Sequence, residues 1–351
     1  MKKSTLLTVV IGIDLGDLRH AVCVIDHEGN ILEEFTITNT RESLSKLAKN
    51  YPDARVAMEV GAHSPWISRL LKDLGCEVIV ANSRKLRAIY QNERKSDELD
   101  ARMLAKLGRA DVSLLHPVKH SSEQAQRDLL QIKLRDNLVR QRVDVISAVR
   151  FTLKALGIRL ASPNTACFAK RARKYLEECD PALLAMIEPS LHVVDEMTRQ
   201  IRGLDREIEQ LCEDRYPETK RLREIRGIGP ITALCFVLVI EDPHRIDRTR
   251  DVGAYLGLVP KRDQSGKSDK ELSISKCGNA YMRRLLVSAA QYILGPFGEE
   301  CDLKRRGLRL AERGGRGAKK KAVVATARKL SVVMLSVWKN ESTYEPERNA
   351  A

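Results

Sequence analysis

Four acidic residues stand where a metal-dependent reaction could use them. Asp14 ends the apolar run TVVIGID, and Glu59 ends the shorter run RVAME. Asp97 and Asp100 lie three residues apart in KSDELDARMLA, so one face of a helix would present both carboxylates. Carboxylate oxygens are hard ligands that select Mg²⁺ or Mn²⁺. Two such ions about 4 Å apart can stabilise the attacking and leaving oxygens of a phosphodiester, so the four acids together indicate phosphodiester chemistry.

A second candidate for chemistry is a serine-rich loop in the last third of the chain. Its serines are Ser265, Ser268, Ser273 and Ser275, and they alternate with lysine and arginine. A serine hydroxyl beside a metal-bound phosphate can displace a DNA strand and form a phosphoserine ester. That ester keeps the phosphodiester energy for rejoining, whereas hydrolysis by water loses it. From residue types alone, polar loop residues without a catalytic role remain the alternative.

The first 110 residues alternate strand and helix signals that would position the acids. The predicted strands are 8–14, 20–26, 31–38, 55–60 and 76–82, and the predicted helices are RESLSKLAKN, about 65–74 and about 97–108. The first three strands follow one another as an antiparallel meander. The strand–helix alternation after them predicts a mixed sheet with helices on its faces.

The middle third has helical periodicity. Its second segment carries Val194, Met197, Ile201, Leu204, Ile208 and Leu211 at alternating three- and four-residue steps, and an earlier segment carries Leu134, Leu138, Val145, Val149 and Leu156. So narrow an apolar seam is typical of a coiled coil. The two segments could pair with each other as an antiparallel hairpin or pair between subunits, and the sequence leaves both open.

The net charge of +14, from 61 basic and 47 acidic residues, indicates a polyanionic partner. Most of the excess lies in residues 221–351, with 26 basic against 15 acidic residues. The candidate nucleic-acid contacts there are Arg226, Lys261, Arg262, Lys267, Lys276, Arg283, Arg284, Lys319, Lys320 and Lys321. In REIRGIGPITA, backbone amides at a glycine turn could also hold a phosphate. Aromatic residues make up only 4%, which argues against a stacking platform for bases.

Several classes are excluded or disfavoured by composition. No apolar stretch reaches the roughly 18 residues of a membrane span, so no membrane partner is expected. The start, MKKSTLLTVVIGI, lacks a small-residue cleavage site and is better interpreted as a buried strand than as a signal peptide. The eight cysteines are scattered without a C-x-x-C pair, which predicts reduced thiols, no zinc site and a cytoplasmic location.

Taken in order, the motifs resemble one family of recombinases along nearly the whole chain. IGIDLG, AMEVGAHSPWISRLL and KSDELDARMLA are similar to the acid motifs of the bridge-RNA-guided DEDD transposases of insertion sequences. LREIRGIGPITA, YLGLVPKRDQSGKS and SISKCGNAYMRRLLVSAA are similar to their C-terminal serine-bearing domain. In that domain the nucleophilic serine precedes a glycine, and this implies Ser265 in QSGK.

The resemblance implies a ribonuclease-H-like (RuvC-like) α/β domain over 1–115 and a helical coiled-coil segment for oligomerisation over 116–220. It further implies a mainly α-helical C-terminal transposase domain over 221–340, followed by a disordered tail over 341–351. The implied catalytic residues are Asp14, Glu59, Asp97, Asp100 and Ser265, with the four acids holding Mg²⁺ or Mn²⁺.

The resemblance also implies what this enzyme would act with and where. Its partners would be donor DNA, target DNA and a non-coding bridge RNA whose base pairing chooses the sites. The active form would be a dimer to tetramer in which the acids of one subunit meet the serine of another. The location would be the nucleoid of a bacterial or archaeal cytoplasm.

Three other readings compete with the recombinase. A metal-dependent junction resolvase or nuclease would use the same acids with water, and would need neither the serine loop nor a long basic C-terminal domain. An ATP-binding protein of the actin-like type would also begin with a strand and D-x-G, but it needs a second phosphate loop that this sequence lacks. A non-catalytic DNA-binding protein would leave the strand-end acids without a role.

Overall fold

The chain forms two compact units, Met1–Ser121 and Ser122–Ala351. A computed structural model describes residues 9–86, 96–160, 164–265, 268–315 and 317–347. Within these residues, no helix is both long and apolar enough to span a bilayer.

The first unit is built on one mixed sheet. Its strands are Val9–Leu15 (β1), Arg19–Asp26 (β2), Ile31–Thr38 (β3), Arg55–Glu59 (β4) and Glu77–Ala81 (β5), in the order β3-β2-β1-β4-β5. The β1–β2 and β2–β3 pairs are antiparallel, whereas β1–β4 and β4–β5 are parallel. The helices are Arg41–Asn50 (α1), Ser64–Asp73 (α2) and Asp97–Ala110 (α3), with 3-10 turns at Ser83–Lys85 and Val112–Leu115. The predicted meander and the mixed sheet are confirmed.

Both faces of β1 are buried, because its residues alternate between two apolar layers. Ile11 and Ile13 belong to the core that also contains residues of α1 and α2. Val10, on the opposite face, clusters with Ala101 and Ala105 of α3. A strand covered on both faces is expected to be apolar almost throughout, and Asp14 is the exception near its end.

Gly12 lets α3 lie directly on β1. A Cβ atom at this position would overlap the Ala101 carbonyl oxygen and lie 2.5 Å from the Ala105 backbone nitrogen. The obstacle is helix backbone, which cannot move aside as the tip of a flexible side chain can. The close strand–helix contact therefore requires a residue without a side chain.

We expect Gly12→Ala to destabilise the first unit by about 2–3 kcal/mol, because added volume in a packed layer must displace backbone. In a Trp338→Phe background, Trp66 is the remaining tryptophan of the chain and reports on this unit alone. Urea unfolding followed by its fluorescence should show a clearly lower midpoint. Gly61→Ala is the matched control, since its Cβ would meet nothing within 4 Å. Equal midpoints for the two variants would contradict the packing argument.

The second unit is helical apart from one hairpin. Its helices are Glu123–Ala155 (α4), Phe168–Cys179 (α5), Pro181–Asp214 (α6), Glu218–Arg223 (α7), Pro230–Ile240 (α8), Val252–Tyr255 (α9), Ala280–Leu294 (α10), Asp302–Glu312 (α11) and Ala318–Lys339 (α12). Strands Pro260–Ser265 (β6) and Ser268–Ile274 (β7) pair antiparallel. Short 3-10 turns occupy Thr165–Cys167, Pro243–Arg245 and Thr249–Asp251. The helical C-terminal region agrees with prediction, whereas the hairpin replaces a predicted loop.

The two long helices α4 and α6 pair with each other within the chain. Asp128 binds Arg215, and Arg135 binds Asp205, so the helices run antiparallel. The sequence left open an antiparallel hairpin within the chain or pairing between subunits, and the structure has the hairpin.

The predicted seam holds better on α6 than on α4. On α6, Val194, Ile201 and Ile208 are buried as expected. On α4 the buried apolar positions include Ile132, Ile146 and Leu153. Leu134 and Leu156, predicted for its seam, are 49% and 60% exposed.

The predicted division of residues 116–351 differs from the observed one. Ala125 and Ile132 of α4 share an apolar core with α8, α10 and α12, so the middle helices and the C-terminal helices form one compact unit. The tail predicted as disordered is held in place over residues 341–347. Tyr344 packs against the same core, and the Asp302 amide donates to the Pro346 carbonyl. Partial burial of the Tyr344 ring against this core is the physical reason for this order.

Candidate active site

Asp14 and Glu59 are neighbours at the ends of two parallel strands. Ile13 of β1 is in register with Met58 of β4, so the next residue on each strand is one of the two acids. Gly12 and Ala57, also in register, lie on the face covered by α3. Because side chains alternate along a strand, Asp14 and Glu59 belong to that same face.

Helix α3 brings Asp97 and Asp100 to the same corner. Gly12 lies against Ala101, whereas Gly108 lies against Val10 and Ala57. The helix therefore runs antiparallel to β1, and its first turn lies beside the end of the strand that carries Asp14.

The first turn of α3 is fixed by its cap. The Ser96 hydroxyl accepts a hydrogen bond from the Leu99 amide at 3.3 Å, as is usual at a helix N-terminus. Asp100 is buried, with 8% exposure, and Asp97 is exposed. Asp14 and Glu59 are half-buried.

The four carboxylates offer only oxygen donors, which is the chemistry that Mg²⁺ and Mn²⁺ prefer. The side chains do not form a closed ligand set, since no three His, Cys, Asp or Glu residues of the described ranges are placed to hold one ion. The backbone thus gathers the four acids at one corner, and the donor chemistry rather than the side-chain geometry fits a divalent cation.

A histidine–aspartate contact missed by the sequence analysis bridges the same two strand ends. His63 Nε2 lies 3.0 Å from Asp17 Oδ1, and the Trp66 indole donates to His63 Nδ1 at 3.3 Å. Since indole N–H can only donate, Nδ1 is the acceptor, and the imidazole proton is on Nε2, facing Asp17. Asp17 follows Asp14 by three residues and His63 follows Glu59 by four, so the contact ties together the loops that leave both acid-bearing strands. The available sequence signal was a polar residue three or four positions after each acid.

Two further histidines of this unit are held neutral. Burial lowers the pKa of His20, the neighbouring Asn39 side chain raises it by a smaller amount, and the nearby His63 lowers it again. Burial likewise lowers the pKa of His120, assisted by Arg69 and Lys72. These imidazoles therefore add no positive charge near neutral pH to the first unit.

Ser265 lies at the tip of the hairpin in the second unit. It is the last residue of β6, pairs with Ser268 across the turn, and is exposed. Ser273 is exposed farther along β7, whereas the Ser275 hydroxyl is buried at the hairpin base without a hydrogen-bond partner among the described residues. Among the serines whose side chains are described, Ser265 is the one at the tip of the hairpin.

The base of the hairpin is fastened by Arg283. Its guanidinium donates to the carbonyl oxygens of Leu256 and Cys277 at 3.0 and 2.5 Å. Gly278, with φ of +70°, allows the close crossing, since a Cβ there would overlap the Tyr255 carbonyl. Arg283, predicted as a nucleic-acid contact, is thus engaged by the protein backbone.

The other predicted basic contacts divide into two groups. Arg226 pairs with Glu299 at 3.0 Å, and Arg284 pairs with Asp136 and stacks on Tyr281. The second group is exposed, as Arg226 and Arg284 also are, and consists of Lys261, Arg262, Lys276, Lys319, Lys320 and Lys321. Lys267 lies outside the described residues. The three consecutive lysines occupy the first turn of α12, where they repel one another and favour an anionic partner.

A mixed sheet with acids at one corner, followed by a helical unit with an exposed serine hairpin, fits the class of DEDD transposases. Residues 11–158 match a family model for DEDD transposases of the IS110 type. Residues 219–299 match a model described as the transposase IS116/IS110/IS902 family.

Whole-length relatives agree with these matches. The transposase for insertion sequence element IS1111A of Coxiella burnetii is 26% identical, over 95% of this chain and 91% of its own. The transposase for insertion sequence element IS1328 of Yersinia enterocolitica is 30% identical, over 80% and 83%. A pilin gene-inverting protein of Moraxella lacunata is 24% identical, over 95% and 97%. The chain belongs to the IS110 family of insertion-sequence transposases, enzymes that cleave and join DNA.

Proposed function

We propose that this transposase cuts and rejoins DNA through a serine nucleophile and an acid-bound metal ion, at sites chosen by a non-coding bridge RNA. The observation that carries the proposal is the convergence of Asp14, Glu59, Asp97 and Asp100 at one corner of a mixed sheet. In this proposal the corner belongs to a ribonuclease-H-like (RuvC-like) domain.

The acids and the serine have separate roles in the proposed reaction. Asp14, Glu59, Asp97 and Asp100 would hold Mg²⁺ or Mn²⁺, which when bound supplies positive charge to the phosphate oxygens. The Ser265 oxygen attacks phosphorus, its proton is released, and the bond to one deoxyribose oxygen breaks and leaves a sugar hydroxyl. A sugar hydroxyl of the partner strand then attacks the phosphoserine, which restores a phosphodiester and frees the serine.

The proposed active form is a dimer to tetramer in the bacterial or archaeal cytoplasm, at the nucleoid. The acids and Ser265 lie in different compact units, and in this proposal the acids of one subunit meet the serine of another. The antiparallel helix pair α4–α6 would provide the coiled-coil oligomerisation segment.

The alternative is a RuvC-like junction resolvase or nuclease that uses water. Rejoining is favoured by the Moraxella relative, whose name describes a gene-inverting protein, since inversion requires cut strands to be joined again. Hydrolysis by water would also not need a serine nucleophile on the hairpin.

Reconstitution tests the proposal. We expect the purified chain, with the structured RNA transcribed beside its gene, donor duplex, target duplex and Mg²⁺, to yield joined donor–target strands. Sequencing of the products measures the junctions, and a transcript with scrambled target-pairing bases should move or abolish them. Cleaved but unjoined products that form equally well without RNA would favour the hydrolytic nuclease instead.

A further inference from the structure

Helices α11 and α12 and the segment 342–346 enclose a cavity of about 680 Å³ in the second unit. Its lining includes Arg306, Arg309 and Lys329. None of the ten basic residues named above as candidate nucleic-acid contacts lines this cavity, which is also separate in the sequence from the serine hairpin.

The three cations Arg306, Arg309 and Lys329 have no ion pair with any described residue, and all three are exposed. Arg305 contrasts with them, because it is bound to Asp302 at 2.8 Å and to Glu347 at 3.5 Å. Asp302 and Glu345 are the acids of the lining. Since Arg305 engages Asp302, the described part of the cavity keeps an excess of positive charge.

The wall between the cations is apolar and hydroxylated. Val332 and Val333 lie beside Ser336 on α12, and Thr343 and Tyr344 face them from the C-terminal segment. Such a mixture suits a ligand with an anionic edge and a flat apolar face. A nucleotide has both parts, whereas an inorganic anion would leave the valines without a partner.

A second, more open cavity of about 420 Å³ continues from the first and shares Thr249 and Ser336 with it. It adds two exposed cations, Arg248 and Arg250. Together the cavities follow α12 from Lys329 to Lys339, a length of about 15 Å at 1.5 Å per residue. Because stacked nucleotides of one strand advance about 3.4 Å each along the axis, roughly four would fit along this basic groove.

We propose that the basic groove, defined by Arg248, Arg250, Arg306, Arg309 and Lys329, binds a single strand of nucleic acid. Phosphates lie on the cations, and bases or sugars face Val332 and Val333. A cavity of about 680 Å³ has the size of a small-molecule site, which suits the nucleotides of one strand better than a duplex whose major groove alone is about 12 Å wide. The inference rests on the proposed function only in taking nucleic acid as the partner, and it requires neither the serine nor the acids.

The test is oligonucleotide binding by the full chain, measured by fluorescence anisotropy over a range of salt concentrations. The probes are dT15, rU15 and a 15-base-pair DNA duplex. We expect Arg306→Gln, Arg309→Gln and Lys329→Gln together to weaken single-strand binding at least tenfold. The salt slope should fall by about 2, since each phosphate contact on a single strand contributes about 0.7.

The charge-matched control is the triple variant Lys170→Gln, Arg171→Gln and Lys174→Gln on α5, whose residues are exposed. We expect it to change single-strand affinity less than twofold. Equal losses for both triples would overturn the proposal, as would an equal loss of duplex and single-strand binding in the groove triple. The tighter of dT15 and rU15 identifies the sugar, and either result supports a single-strand groove.

Further measurements distinguish a loss of binding from misfolding and from a failure of the proposed catalytic function. Thermal unfolding of the groove triple should match the unmodified chain, and the single variants Arg306→Gln and Lys329→Gln should each give part of the loss. If the groove variants lose binding and strand cleavage proves to be hydrolytic, the proposed function fails, whereas the assignment of the basic groove as a single-strand site is upheld.

Discussion

Asp14→Asn is expected to reduce DNA strand cleavage by about a thousandfold or more, while nucleic-acid affinity changes less than twofold. The change removes one negative charge from the acid corner and keeps the size of the side chain. Metal ions supply several kcal/mol of transition-state stabilisation, and 1.36 kcal/mol corresponds to a factor of ten in rate. Single-turnover cleavage of labelled DNA measures the loss, and anisotropy measures the affinity.

The position of Asp14 makes it the most informative of the four acids. It lies on the central strand β1, beside Glu59 in the parallel register and next to the first turn of α3. Glu59→Gln and Asp100→Asn should produce losses of similar size. Asp97→Asn should have a smaller effect, because Asp97 is exposed and its place can be taken by water more easily.

The matched control is Asp73→Asn, the same substitution at an exposed position near the end of α2. It should leave cleavage unchanged. A chelator added to the unmodified chain should reproduce the loss of cleavage seen in Asp14→Asn. Added Mg²⁺ should restore cleavage to the chelator-treated chain but not to Asp14→Asn. If Asp14→Asn cleaves at the normal rate, the acid corner does not hold the catalytic metal.

The acid corner could be predicted from sequence because each acid interrupts or caps a strong local signal. Asp14 and Glu59 end apolar runs, and Asp97 and Asp100 have the three-residue spacing of one helical face. Parallel strands meet at one sheet edge, so strand order alone brings such ends together. What the sequence could not supply was the side-chain arrangement, since rotamers depend on packing across three separate elements.

The serine hairpin was beyond prediction for a different reason. All six residues of β6, Pro260–Ser265, are exposed, so no apolar alternation marks the strand. The hairpin is held by its own ladder and by Arg283, whose carbonyl acceptors lie 5 to 27 positions away in the chain. Two adjacent arginines in a sequence are compatible both with phosphate binding and with contacts inside the protein. Only the structure shows that Arg283 donates to backbone carbonyl oxygens.

Helix pairing and the C-terminal tail illustrate the same limit. An apolar seam indicates that a helix packs against a partner, but it does not identify that partner. Contacts between the two helices, such as the Arg135–Asp205 ion pair, show that α4 pairs with α6. Residues 341–347 have a polar composition typical of a disordered end. Partly buried Tyr344 attaches them to the core, together with the hydrogen bond from the Asp302 amide to the Pro346 carbonyl.

Ser265→Ala is expected to abolish the covalent protein–DNA adduct and, with it, strand joining. The hydroxyl oxygen is the atom that would bond to phosphorus, and alanine has no substitute for it. Nicked DNA that loses a short fragment on cleavage should trap the adduct in the unmodified chain, where it appears as a slower band on a denaturing gel. Mass spectrometry of the labelled peptide then identifies the modified residue.

The hairpin provides its own control for this experiment. Ser273→Ala removes an exposed hydroxyl from the paired strand β7 and should leave the adduct intact. Ser268→Ala tests the residue that faces Ser265 across the turn, and it should also retain the adduct. An adduct that survives Ser265→Ala and disappears with Ser268→Ala would identify Ser268 as the nucleophile. If the unmodified chain forms no adduct and Ser265→Ala still cleaves, water is the nucleophile, and the exposed serine tip belongs to DNA binding rather than to bond formation.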